Sequence, residues 1–172
     1  MEFLRLLRER LPPAAFDAVR LTNGLILLFV LAAPLERLFA ARPHKLLRRQ
    51  FWTDVAYYYL SSLLPNRLLI PMLAALAVAL RYGGIVVAHP WAGTWPAWIR
   101  FPAAMLVAEI GFYWGHRSMH AVGFLWRFHA VHHSAAEMDW LVNTRAHPVD
   151  LVFTRLCGYA PLYALGLAQP AA

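Results

Sequence analysis

Residues 115–134 read G-H-R-S-M-H-A-V-G-F-L-W-R-F-H-A-V-H-H-S, and five of the protein's eight histidines fall inside them: His116, His120, His129, His132 and His133. His116 and His120 are i,i+4 neighbours, so on a helix they project from one face, a turn apart. His129, His132 and His133 form an i,i+3,i+4 set that again converges on one helical face. Neutral imidazole is the commonest protein metal ligand and suits iron, zinc, copper and nickel. One zinc ion needs only three or four ligands, so five clustered imidazoles point to a site for more than one ion. A lone histidine on an apolar helix is an ordinary core or interface residue. Five in two adjacent boxes are not explained that way.

The rest of the composition places these boxes in a membrane protein. Of 172 residues, 60% are apolar and 15% charged, against roughly 45–50% and 25% in soluble domains. The net charge of +7 fits cytoplasmic loops facing anionic headgroups, and no pattern for binding nucleic acid accompanies it. The single cysteine, Cys157, excludes an intrachain disulfide and reads as a buried, inert thiol. No cleaved signal peptide is evident, because a charged preamble precedes the first apolar run.

Taken in order, residues 1–11 have the Leu/Arg spacing of a basic amphipathic helix on a membrane surface, or of an ordinary solvated terminus, stopped by Pro12-Pro13. Thr22 to Leu35 is a first apolar segment, shorter than the roughly 20 residues a span requires. Arg37, Arg42, Lys45, Arg48 and Arg49 then form a basic flank. Val55 to Leu80 is apolar but interrupted at Pro65-Asn66-Arg67, and reads as a kinked span or a broken hairpin. Residues 81–98, with Gly83-Gly84, Pro90 and Pro96, read as a loop whose Trp91, Trp95 and Trp98 suit the headgroup level; His89 is a loop residue there. Ile99 to Gly115 runs straight into the first box, and Gly111 and Gly115 form a small-xxx-small pair that admits a close helix neighbour. Pro148 to Leu167 is the last apolar segment. Lys and Arg counts put 37–50 and 116–147 on the cytoplasmic side and 81–100 outside, and leave the N-terminal side open. The expected fold is all-α: a multi-pass transmembrane bundle, one domain over 1–172, with the histidines at its cytoplasmic end.

Polar residues around the boxes are candidate supports. Glu109 lies two turns before His116, and Glu137, Asp139, Arg145 and Asp150 follow the second box. Carboxylates there would orient ligand imidazoles; otherwise they are solvated loop residues. His147 is a candidate sixth ligand, although Pro148 behind it marks a helix start.

H-R-S-M-H, L-W-R-F-H-A-V-H-H-S and R-A-H-P-V-D together resemble the fatty acid hydroxylase and sterol desaturase superfamily of membrane di-iron enzymes. The resemblance covers roughly residues 36–150, including Glu36, Pro43, W-T-D at 52–54 and Tyr113. It implies two non-haem irons held by His116, His120, His129, His132 and His133, with His147 as a further candidate. It also implies a lipid substrate hydroxylated or desaturated with dioxygen, and electrons from a separate donor protein such as a small haem carrier, a ferredoxin or a reductase. Imidazole ligation leaves more positive charge on two irons than carboxylate bridging does, which suits attack on an unactivated C–H bond. The family's third histidine box is not among these residues, so a fragment of a longer enzyme is expected. A non-catalytic or metal-handling homologue and a membrane haem electron carrier are the alternatives.

Overall fold

The computed structural model describes residues 8–39, 48–83 and 95–168, with the backbone alone at Arg81. The first seven residues of the amphipathic stretch, Arg42, Pro43 and Lys45 of the basic flank, and His89 and Trp91 of the loop lie outside the described residues. Among those described there is no strand. The helices are α1 (Pro13–Phe39), α2 (Phe51–Tyr82), α3 (Ala97–Ala121), α4 (Gly123–His129) and α5 (Pro148–Ala164), with 3₁₀ turns at His132–Ser134 and Val142–Thr144.

One segment differs from the sequence expectation and another decides between two. The first apolar segment is part of a 27-residue helix, with Pro13 in the first turn, where its missing N–H costs nothing. At Pro65-Asn66-Arg67 the single span holds and the broken hairpin does not: α2 continues through Pro65 and Pro71 for 32 residues. At roughly 1.5 Å per residue, both helices are long and apolar enough to cross a membrane. Ile26, Leu27, Val30 and Leu31 on α1 and Ile70 and Val78 on α2 are more than half exposed. Long apolar helices with such bare faces associate with a membrane.

The chain divides into two compact units. Unit 1 comprises Met1–Leu63 and His132–Ala146. Its core joins Leu21 of α1, Tyr58 of α2 and Leu141, with Leu25, Val55, Leu63 and Trp140 packed around them. Tyr58 donates its hydroxyl hydrogen to the Leu21 carbonyl at 2.9 Å. A Cβ on Gly24 would stand 2.9 Å from that hydroxyl, so glycine lets the two helices meet there. Beside this core, Arg48, Asp54, Asp139 and Arg145 form a buried network. Arg48 donates from Nε to Asp139 at 2.7 Å and from Nη2 at 2.8 Å, and both Arg48 and Arg145 also donate to Asp54. Asp139 accepts from the backbone N–H groups of Leu141 and Val142 at 3.1 and 2.9 Å, capping the second 3₁₀ turn. Burial pushes the Asp139 carboxyl up, but hydrogen bonding to Arg48, its charge and those two N–H groups hold it below its ordinary value.

Unit 2 comprises Leu64–Val131 and His147–Ala172. Its backbone is the pair α3 and α5, brought together by glycine. A Cβ on Gly111 would lie 2.2 Å from the Cys157 carbonyl oxygen, one on Gly115 2.9 Å from the Cys157 Cβ, and one on Gly158 2.4 Å from the Phe112 ring. The Gly111/Gly115 spacing thus serves a close approach, as the sequence suggests, and Cys157 fills the contact as a half-buried free thiol. Phe112 and Tyr159 meet edge to face at 5.4 Å, and Arg155 donates to Asn66 Oδ1 at 2.9 Å.

Candidate metal centre

The first box occupies the last turns of α3, where the i,i+4 spacing sets His116 and His120 side by side: their rings are 4.9 Å apart and their Nε2 atoms 3.2 Å apart. Helix α3 then stops for a single residue. Val122 is extended, at φ −101° and ψ 114°, and α4 restarts at Gly123. That break turns the seven-residue α4 so that His129, at its end, faces the first box. His129 Nε2 stands 3.1 Å from His120 Nε2, and its ring lies 4.7 Å from that of His116. All three offered nitrogens lie within 4.8 Å of one another. His129 is buried, whereas His116 and His120 are exposed.

His129 is held from behind. Its Nδ1 stands 2.8 Å from Asp150 Oδ2, and Thr154 donates to the other Asp150 oxygen at 3.2 Å. A carboxylate takes the hydrogen on Nδ1, so the neutral ring carries its lone pair on Nε2, toward the other two histidines. His120 Nε2 has one lone pair or one hydrogen and cannot serve both neighbours with protons alone. A cation shared by the three nitrogens resolves this. Two nitrogens at about 2.0–2.1 Å from one tetrahedral ion stand roughly 3.3–3.4 Å apart, close to the spacing here. The donor set fits a metal that takes imidazole.

The remaining expected ligands are placed differently. Helix α4 ends at His129, with Val131 N–H bonding to the Phe128 carbonyl at 3.4 Å, so the three histidines of the second box do not share one helical face. The tightening of the backbone into a 3₁₀ turn carries His132 and His133 out of the α-helical register. In unit 1, His132 donates from Nδ1 to the Arg145 carbonyl at 3.1 Å, which leaves Nε2 as its lone-pair nitrogen. The His133 ring is 5.3 Å from that of His132. His147, in unit 2, is the N-cap of α5: its Nδ1 accepts from the Val149 N–H at 3.2 Å, which spends that lone pair on backbone, and its ring lies 5.0 Å from Phe128.

Of the expected supports, Glu109 is exposed on α3 and Glu137 is exposed in unit 1. Asp139 and Arg145 belong to the buried network; Arg145 also donates to Gln50 Oε1 at 3.0 Å and Ser134 Oγ at 3.3 Å. The carboxylate that orients a histidine is Asp150, which closes R-A-H-P-V-D and is one of the polar residues expected to support the boxes. Its place in the first turn of α5, after Pro148, sets it opposite His129. Asp54, in W-T-D, is the carboxylate that sequence does not single out for its charge: it accepts from both arginines of the buried network.

Residues 101–172 match the Fatty acid hydroxylase family. An ornithine lipid hydroxylase, OlsE, of Rhizobium tropici is 41% identical over 83 residues, 48% of this chain and 25% of that protein. Alkylglycerol monooxygenase of Danio rerio is 34% identical over 76 residues, 44% of this chain and 16% of that protein. Methylsterol monooxygenase 2-2 of Arabidopsis thaliana is 32% identical over 79 residues, covering 44% and 29%. The matches thus span between 16% and 29% of these relatives' lengths. No solved structure matches. Residues 101–172, which carry the histidine cluster, are thus similar to the Fatty acid hydroxylase family, and the matched relatives are named as a hydroxylase and monooxygenases.

Proposed function

We propose that the protein is a membrane-bound oxygenase, or the histidine-bearing part of one, that hydroxylates or desaturates a C–H bond of a lipid using non-haem iron, dioxygen and electrons from a separate donor protein. The relatives' names include an ornithine lipid, alkylglycerols and methylsterols, and an apolar chain bearing a polar head is the substrate class common to them. The observation that carries the reading is the convergence of three Nε2 atoms, one fixed by a buried carboxylate. His116, His120 and His129 would hold one iron. His132 and His133, with His132 already fixed in the correct tautomer, are the proposed ligands of the second. Iron, when bound, supplies the oxidising chemistry that no side chain here can.

The chain's own residues hold and orient. Asp150 keeps the His129 ring directed at its neighbours and stabilises positive charge on it. Thr154 fixes Asp150. The Arg145 carbonyl does for His132 what Asp150 does for His129. Trp126, 5.5 Å from the His120 ring and 6.0 Å from that of His129, shields one side of the cluster from water. The apolar faces of α1 and α2 supply the bilayer contact through which a lipid arrives, and the histidine boxes face the cytoplasm, where electrons are delivered. Ring separations of 4.6–4.9 Å leave no space for a porphyrin among the three histidines, which disfavours the haem alternative.

The test is anaerobic reconstitution with ferrous salt. Wild type should retain about two irons per complete protein, in a high-spin ferrous form without a Soret band. His120→Ala removes the central nitrogen of the cluster from an exposed position, so it should abolish iron retention while leaving the melting temperature of the iron-free protein unchanged. Retention of iron by that variant at wild-type level would refute the assignment.

A further inference from the structure

The buried network of unit 1 has unspent donors. Arg48 is 5% exposed and Arg145 2%, yet Nη1 of Arg48 and Nη2 of Arg145 meet no acceptor. A buried guanidinium N–H left unpaired costs free energy, so two in one network indicate that something else supplies an acceptor. Beside Arg48 lies a cavity of about 170 Å³ lined by Arg48, Arg49, Gln50, Ala136 and Glu137. Inside the network two guanidinium groups face two carboxylates, and the charges balance. Arg49 and Glu137 add one charge of each sign at the cavity and are exposed.

We propose that this cavity binds the headgroup of a zwitterionic, amine-bearing lipid, with its anionic oxygens on Arg48 Nη1 and Arg49 and its ammonium on Glu137. A purely anionic head would leave Glu137 facing like charge, and a purely cationic one would leave the guanidinium hydrogens unmatched. Ordinary ligand pockets run to roughly 300–1,000 Å³, so this smaller one takes a headgroup and leaves the acyl chains outside. Its place in the chain favours a lipid over a soluble zwitterion. Arg48 to Gln50 directly precede α2, one of the two helices able to span a membrane, which sets the cavity at the water boundary. Trp52, two residues after Gln50, and Met138, directly after Glu137, are 74% and 76% exposed and offer apolar surface to the first carbons of a lipid tail. As the head of the lipid to be oxidised, the ligand rests on the function proposed above; its binding requires no iron.

The experiment titrates the iron-free 172-residue chain in detergent with short-chain phosphatidylethanolamine, short-chain phosphatidylglycerol and soluble glycerophosphoethanolamine, read by tryptophan fluorescence. Phosphatidylethanolamine should bind about fivefold more tightly than phosphatidylglycerol, the scale of one exposed ion pair. Glu137→Gln should remove that preference, and Arg49→Gln should weaken both lipids by a similar factor; both positions are exposed, so the fold is kept. Equal binding of the two lipids by wild type, or a preference that survives Glu137→Gln, overturns the proposal. Glycerophosphoethanolamine binding as tightly as the lipid overturns the assignment to a lipid. Iron content is measured separately: a chain that selects phosphatidylethanolamine but retains no iron refutes the oxygenase reading and leaves this one standing.

Discussion

Unit 1 and unit 2 each gather polar side chains, and they do so in opposite ways. In unit 1, Arg48, Asp54, Asp139 and Arg145 alternate in sign, so attraction between the side chains themselves offsets much of the cost of taking them from water. In unit 2, His116, His120 and His129 are alike: neutral rings can share one N–H between a pair, but His120 Nε2 cannot satisfy both neighbours that way. The first arrangement holds a fold, joining the approach to α2 to the segment from Asp139 to Arg145. The second is a set of convergent nitrogen donors that fits a cation.

The comparison breaks most visibly at Asp54. Asp54→Ala leaves two buried guanidinium groups short of a partner and should cost about 3–5 kcal/mol, seen as a large fall in the detergent melting temperature. If stability held and iron retention fell instead, the network would be part of the metal site. Asp150→Asn sharpens the other side. Asparagine can still accept from His129 Nδ1, so the ring stays in place while the charge behind it is lost. Iron affinity should drop about 10–100-fold with little change in the melting of the iron-free protein. The smallest effect is acid sensitivity. Asp139 has a folded value below its ordinary one, so its contribution is complete above an unfolded pKa of about 3.9 and is lost as pH falls through the lowered folded value. Stability should therefore be flat from pH 7 to about 4 and fall below that, less steeply in Asp139→Asn. An acid limb identical in that variant would assign the loss to other carboxylates.

Local spacing was legible; partners distant in sequence were not. The i,i+4 pair and the Gly111/Gly115 spacing follow from helical geometry alone, and both are realised. The single face expected for His129, His132 and His133 failed because the backbone tightens after His129, while His132 is tied to the Arg145 carbonyl, thirteen residues on. Sequence places Asp150 among the candidate supports but does not show that the ring it holds is His129, 21 residues away. Sequence shows the charges of Asp139 and Arg145 but not that their side chains pair with Arg48 and Asp54, nor that it is the Arg145 carbonyl that holds a histidine, His132. The prolines of α2 leave a kinked span and a broken hairpin open in sequence, and the helix runs through them, since long apolar helices tolerate an interior proline where neighbours satisfy the freed carbonyls.

Val122 has a consequence for how this region can change over time. One extended residue separates the helix bearing His116 and His120 from the helix bearing His129, and each helical residue turns the chain by about 100°. Adding or deleting a single amino acid between the boxes would swing His129 away from Asp150 and its fellow imidazoles together. The number of residues between the two boxes is therefore fixed by the site itself.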